Sequence, residues 1–99
     1  MFDLKGKTIL VTGGGGVGVG AGVCEAITRA GGTLLLNEID EKSACDGAAR
    51  YDGAVPAPGD ITTAEGLEKI FFLVDEHCDR LDGLVNNAGI GMARIFHDM

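Results

Sequence analysis

A run of glycines near the start of the chain has the composition of a phosphate-binding turn. An apolar segment, residues 8–11, leads into it, and a segment of small residues, 21–30, follows it. Glycine adopts positive φ without a steric penalty and lets a ligand approach the backbone, and the free N–H groups of a following helix favour an anion. The pattern predicts a site for a dinucleotide pyrophosphate, formed by Gly13, Gly14, Gly18, Val19 and Gly20.

The spacing of the glycines fits more than one kind of nucleotide site. Gly13, Gly15 and Gly18 fit the G-x-G-x-x-G pattern of dinucleotide-binding folds. Gly16, Gly18 and Gly20 fit the G-x-G-x-G pattern of methyl-donor sites. No Gly-Lys-Ser/Thr closes the run, which excludes a P-loop. The glycines alone therefore leave a methyltransferase open as an alternative.

Two acidic residues are expected to lie at the same edge of the sheet as the glycine turn. Glu38 follows the apolar strand 33–37, where a carboxylate accepts hydrogen bonds from the adenosine ribose in dinucleotide-binding folds. Asp60 follows the short strand 54–57. Because open parallel sheets bind ligands at the carboxyl ends of their strands, we expect Glu38 near the ribose and Asp60 near the adenine.

Two amides and two small residues follow the last apolar strand, residues 81–85. Amide side chains can satisfy backbone groups of neighbouring strands, and small residues leave room for a ligand at the sheet edge. In the run Asn86-Asn87-Ala88-Gly89, we therefore expect Asn87, Ala88 and Gly89 to line the cofactor site.

Positioning these residues requires strands that alternate with helices. The hydrophobic pattern predicts strands over residues 7–12, 33–37, 54–57 and 81–85. Right-handed crossovers arrange them as a partial Rossmann fold, a doubly wound parallel α/β sheet of order 3-2-1-4. Pro56 places the third strand at one edge. The fourth strand is expected at the other edge, with residues 90–99 forming a loop that leads into a helix.

The intervening helices carry recognisable caps. Asp40 is the expected N-cap of a helix over residues 41–50. Thr62 and Glu65 fit a capping box for the next helix. Its apolar stripe, at helical spacing, is Leu67, Ile70, Phe71, Val74 and Cys78.

Composition and charge exclude several classes of protein. The chain has 99 residues, enough for one domain at most, and a net charge of −7, which argues against nucleic acid and anionic membrane surfaces. Because it has no long apolar run, we expect neither a membrane span nor a signal peptide. The cysteines lack C-x-x-C spacing, so we interpret Cys24, Cys45 and Cys78 as small core residues of a cytoplasmic protein and expect no metal site.

Together, these motifs resemble the N-terminal half of a short-chain dehydrogenase/reductase. The resemblance runs from residue 7 to the end and rests on Thr12-Gly13 with its glycines, Glu38, Asp60-Ile61 and the run 86–89. It implies a nicotinamide cofactor whose adenine contacts Asp60 and Ile61, an alcohol or carbonyl substrate, and a homo-oligomeric parent protein. NAD is expected over NADP because the Glu38 carboxylate would repel a 2′-phosphate.

The catalytic residues of that family are not found in these 99 residues. Family members use a serine and a Tyr-x-x-x-Lys pair. Here the only tyrosine is Tyr51, followed at that spacing by Val55; the only serine is Ser43, and no lysine follows Lys69. We therefore assign no catalytic residue and expect a fragment, residues 1–99, that is inactive alone. The alternative is a non-catalytic nucleotide-binding module.

Overall fold

The computed structural model of the protein describes residues 3–13, 19–78, 80–86 and 94–96. Strands and helices alternate along most of the chain, as the hydrophobic pattern predicts. The elements are β1 (Thr8–Thr12), α1 (Val19–Arg29), β2 (Thr33–Asn37), α2 (Glu41–Ala48), β3 (Val55–Pro56), α3 (Ala64–His77), β4 (Gly83–Asn86) and β5 (Arg94–Phe96).

The described strands form one sheet in the order β3-β2-β1-β4-β5. β1 pairs in parallel with β2 on one side and with β4 on the other, and β2 pairs in parallel with β3. The predicted order 3-2-1-4 is confirmed, and so is the edge position of β3, which contains Pro56. The carboxyl ends of four parallel strands therefore meet along one edge of the sheet.

Side chains that alternate along the central strands build a core on each face of the sheet. Val11 and Leu36 point to the face that α1 and α2 cover, where they pack with Cys24, Ile27 and Ala48. Leu10 and Leu35 point to the opposite face, where they pack against α3 through Ile70 and Val74. Strands buried on both faces are continuous apolar runs, which is the pattern of residues 34–36.

A glycine pair ends α1 and directs the chain into β2. Gly31 has φ 89° and donates its N–H to Thr28 O at 3.1 Å, and the Gly32 N–H bonds to Ile27 O at 3.0 Å. Positive φ at this position favours glycine and satisfies carbonyl groups that the helix end would leave unpaired. The turn sets where β2 begins, and hence which residue, Glu38, follows its end.

The segment after β4 differs from the prediction. Residues 94–96 form a strand, β5, that pairs antiparallel with β4. The prediction that residues 90–99 form a loop leading into a helix is therefore wrong for residues 94–96. The prediction that the fourth strand lies at the edge of the sheet is also wrong, because β5 takes that position. The unpaired edge of a strand attracts a partner. A parallel partner needs a crossover of a dozen or more residues, whereas the short connection from Asn86 to Arg94 permits an antiparallel one.

Two details of the helices also differ. Thr63, not Thr62, caps α3: its side chain accepts the Gly66 N–H at 2.9 Å. Thr62 is instead tied to Asp60, which accepts its N–H and its hydroxyl. Along the predicted stripe only Ile70 and Val74 are buried, whereas Leu67 and Phe71 remain 39% and 46% exposed.

The end of α2 and the exposure of one cysteine also differ from the prediction. Asp40 caps α2 as predicted, accepting the Ser43 N–H at 2.8 Å, but α2 ends at Ala48. Cys24 is buried and Cys78 is half-buried, whereas Cys45 is exposed and is not a core residue.

Candidate functional site

A pocket of about 240 Å³ lies where β1, β2 and β3 end. Residues that follow three parallel strands line it, so the fold itself brings them together. They are Gly13, Asn37, Glu38, Ile39, Gly59, Asp60, Ile61 and Thr62. The pocket thus unites four residues that the sequence singled out, Gly13, Glu38, Asp60 and Ile61. Most of its wall is apolar, and two of the lining residues, Glu38 and Asp60, are acidic.

The turn at the end of β1 begins with a glycine in a left-handed conformation. Gly13 has φ 68°, which other residues rarely adopt, and its N–H donates to Asn37 O at 2.9 Å. This bond extends the β1–β2 pairing by one residue and places the start of the turn beside the pocket. Val19 begins α1, and Gly20 is buried within it. Gly14 and Gly18 lie outside the described residues.

Glu38, the first residue after β2, brings a carboxylate to the pocket. Glu38 is half-buried and lines the pocket. Burial raises the pKa of the Cys24 thiol on α1 to about 11, and the negative charge of Glu38 contributes to that rise. The thiol therefore stays protonated at neutral pH and is no nucleophile.

Asp60 presents a second carboxylate, held in a fixed orientation. Its Oδ1 accepts the Thr62 hydroxyl at 2.6 Å and the Thr62 N–H at 2.9 Å. These two hydrogen bonds hold the pKa of Asp60 below its ordinary value, so the group is charged at neutral pH. An ionised carboxylate has more acceptor positions than these two bonds use, and can also accept an amino or hydroxyl group of a ligand.

The ends of β1 and β4 are tied together beside the pocket. The Thr12 hydroxyl donates to Asn86 Oδ1 at 2.9 Å and also lies 3.4 Å from Val85 O. The amide that opens the run 86–89 therefore accepts a bond from the neighbouring strand. Asn87, Ala88 and Gly89, predicted to line the cofactor site, lie outside the described residues.

Tyr51 lies away from this pocket. Its hydroxyl donates to Ala21 O at 3.3 Å, and its ring packs in the core on the α1 side. Burial is the main reason that its pKa lies above the ordinary value, so the phenol stays protonated at neutral pH. Tyr51 is therefore not one of the residues that line the pocket.

Neither a metal cluster nor a spanning helix occurs within residues 3–13, 19–78, 80–86 and 94–96. No three histidine, cysteine, aspartate or glutamate side chains gather there as metal ligands. Nor is any helix among those residues both long enough and apolar enough to span a membrane.

Sequence reasoning missed four residues of the pocket wall, Asn37, Ile39, Gly59 and Thr62. One signal was available: an amide, Asn37, ends the otherwise apolar strand 33–37, and it is only 3% exposed. A buried polar side chain at the carboxyl end of a strand needs partners, which the structure supplies chiefly on the segment that follows β3. Ile39, 64% exposed, carries no such signal because exposed single apolar residues are common.

Known proteins share both the sequence pattern and the fold. The family model for short chain dehydrogenase matches residues 7–99. The chain is 32% identical over 97 residues to a peroxisomal hydratase-dehydrogenase-epimerase of Neurospora crassa, and 34% identical over 99 residues to 2-(S)-hydroxypropyl-CoM dehydrogenase 3 of Xanthobacter autotrophicus. These alignments cover 98% and 96% of this chain.

A solved structure superposes closely on the described fold. The Pseudomonas aeruginosa RhlG/NADP active-site complex matches with a TM-score of 0.81 at 33% identity, covering 90% of this chain and 37% of that one. The chain spans 11% of the Neurospora protein and 38% of the Xanthobacter protein. The matches favour a dinucleotide site over the methyl-donor site that the glycine spacing left open.

Proposed function

The chain belongs to the short-chain dehydrogenase family, and from that premise we propose that it forms the adenosine-binding half of a nicotinamide cofactor site. The observation that carries the proposal is the pocket in which Glu38 and Asp60 lie beside the left-handed turn at Gly13. Ile39 and Ile61 give the same pocket apolar surface that suits a purine base. Backbone N–H groups at the start of α1 then supply the partners of the pyrophosphate.

The reaction we propose is hydride transfer between the nicotinamide and an alcohol or carbonyl substrate. That class follows from the family, whose named relatives include dehydrogenases. General acid–base catalysis requires a proton donor within hydrogen-bond reach of the reacting oxygen. Tyr51, bonded to Ala21 O in the core, does not meet that requirement. We infer that catalysis requires residues beyond these 99 and that the chain alone is inactive.

We further propose that the site prefers NAD to NADP, although RhlG was solved with NADP. Glu38 follows β2, where the ribose hydroxyls of a bound nucleotide would lie, and the described pocket residues include neither lysine nor arginine. Two like charges about 4 Å apart repel by roughly 1 to 4 kcal/mol, depending on the local dielectric constant. A 2′-phosphate would meet that repulsion without a compensating cation.

Binding of two adenosine nucleotides tests this preference on the chain itself. We expect 5′-AMP to bind more tightly than adenosine 2′,5′-bisphosphate, which carries the extra phosphate, by roughly tenfold or more. Glu38→Gln removes the charge but retains the shape of the side chain, and should reduce that ratio towards one. Titrations followed by nuclear magnetic resonance measure dissociation constants in the millimolar range.

Glu41→Gln is the matched control, because Glu41 is an exposed acid at the start of α2 and does not line the pocket. It removes the same charge and should leave the ratio unchanged. Equal affinities of the wild-type chain for both nucleotides, or a ratio that Glu38→Gln and Glu41→Gln change alike, would show that Glu38 does not select the cofactor.

A further inference from the structure

Asn37 makes a set of hydrogen bonds that links two walls of the pocket. Its side-chain Nδ2 lies 2.8 Å from Ala57 O, 3.1 Å from Gly59 O and 3.3 Å from Glu38 O. All three partners are carbonyl oxygens, so the group that faces them must be a donor. With 3% of its surface exposed, Asn37 makes these bonds with little competition from water.

The segment that Asn37 contacts has few other connections to the sheet. β3 is two residues long, and its second residue, Pro56, has no N–H to donate. Beyond it, Ala57 N bonds to Leu36 O at 2.8 Å and Gly59 N bonds to Glu38 O at 2.9 Å. The Asn37 amide adds its bonds from the side chain, across the same gap between β2 and residues 57–59.

The other side of this segment packs against the first turn of α3. A side chain on Gly59 would meet Gly66 O and the Ile70 side chain, and one on Gly66 would overlap the backbone of Asp60. The segment is thus held between the Asn37 amide and α3. Asp60, which follows it, has its backbone fixed from the helix side, and Glu38, which follows Asn37, has its carbonyl bonded to the same segment.

We propose that Asn37 is a positioning residue of the nucleotide site, which sets the separation of Glu38 and Asp60 by holding residues 57–59 against the end of β2. The inference rests on the proposed function, since it concerns the pocket assigned there to adenosine. Asn37 itself acts through backbone carbonyls. When the two carboxylates are already fixed in place before the ligand binds, less free energy is spent on ordering them and the affinity is higher.

The isosteric variant Asn37→Asp tests the proposal. It replaces the donor by a carboxylate oxygen that repels the three carbonyl groups. We expect the Gly59 amide to exchange its hydrogen at least about tenfold faster, because the segment then opens locally, while the Val11 amide in central β1 stays protected. The dissociation constant of 5′-AMP should rise by a similar factor. Asn37→Ala, which removes the donor without adding charge, provides a second variant should Asn37→Asp not fold.

Leu34→Ala is the control for a general loss of stability. Leu34 is a core residue of the same strand, 2% exposed, and does not line the pocket. It should raise exchange across the sheet and leave the affinity of the folded chain for 5′-AMP unchanged. A merely structural role of Asn37 would give the pattern of Leu34→Ala, with no selective effect at Gly59, and would overturn the proposal.

The binding experiment also separates this inference from the function on which it rests. If the wild-type chain binds 5′-AMP and both Asn37 variants bind it equally well, Asn37 does not position the site and only this inference fails. If the wild-type chain does not bind 5′-AMP at millimolar concentration, the adenosine assignment itself fails, and this inference fails with it.

Discussion

The surroundings of Asp60 and Cys24 shift the pKa values of these two side chains in opposite directions. Glu38 and Asp60 both line the pocket, and hydrogen bonds from Thr62 keep Asp60 ionised. Cys24, by contrast, is fully buried, and burial together with the negative charge of Glu38 raises the pKa of its thiol, which therefore stays neutral. Hydrogen bonding favours the charged form of the Asp60 carboxyl, whereas burial favours the neutral form of the Cys24 thiol.

The raised pKa of Cys24 predicts a loss of stability at alkaline pH. The folded chain retains this proton up to about pH 11, whereas the thiol of the unfolded chain releases it near pH 9.0. The folded state therefore binds more protons between these values, and its stability falls as pH rises, by up to roughly 3 kcal/mol. Tyr51, whose pKa is also raised, changes stability in the same direction.

Urea unfolding of the wild-type chain and of Cys24→Ala, at pH 8 and pH 11, measures this effect. We expect the wild-type free energy of unfolding to fall more between the two pH values than that of the variant. Parallel losses in both proteins would mean that the thiol does not titrate differently in the folded and unfolded chains.

The connection between the short strand β3 and the start of α3 forms one wall of the pocket. The Thr63 hydroxyl caps α3, whereas the hydroxyl of the adjacent Thr62 donates a hydrogen bond to Asp60. The sequence Thr62-Thr63-Ala64-Glu65 permits either threonine to cap the helix. Only the position of Asp60, fixed by β3 and α3 packing, decides between them.

Thr63→Ala should therefore destabilise the chain more than Thr62→Ala. Loss of an N-cap costs about 1 kcal/mol, which lowers the melting temperature of a domain of this size by roughly 4–8 °C. The Thr62 hydroxyl bonds at the exposed surface, and its loss should cost less. Thermal unfolding measures the melting temperatures of the two variants. A larger decrease in Thr62→Ala would indicate that Thr62, the residue predicted from the sequence, is the N-cap.

Local signals in the sequence predict the elements that depend on local chemistry. Residues 33–37 are predicted as a strand and found as β2, and the glycine pair ends α1 where the C-cap rule places it. The capping threonine was missed because the nearby Asp60 binds Thr62 and leaves the cap to Thr63. β5 was missed because it forms by pairing with β4, and the exposure of Leu67 and Phe71 because helical spacing alone does not show how much of the stripe the sheet covers. The pocket residue Asn37 was missed because its partners lie on the segment after β3, far along the chain.

The charge of the whole molecule shapes how it can bind an anionic cofactor. The net charge is −7, and the described pocket residues carry two acids and no lysine or arginine. Attraction for the pyrophosphate must therefore come from backbone N–H groups and the helix dipole rather than from side-chain charge. We accordingly expect weak binding by these residues alone, with the ribose and adenine recognised more specifically than the phosphates.

The most direct measurement of the central claim is the location of bound NAD on the isotope-labelled chain by nuclear magnetic resonance. We predict that the amide signals that shift with NAD are those of Gly13, Glu38, Ile39, Asp60 and Ile61, around one pocket. Signals at the opposite edge of the sheet, at Lys7, Thr8 and Arg80, should remain unchanged. Shifts centred on that opposite edge, or no shift at millimolar NAD, would contradict a cofactor site at the carboxyl ends of the strands.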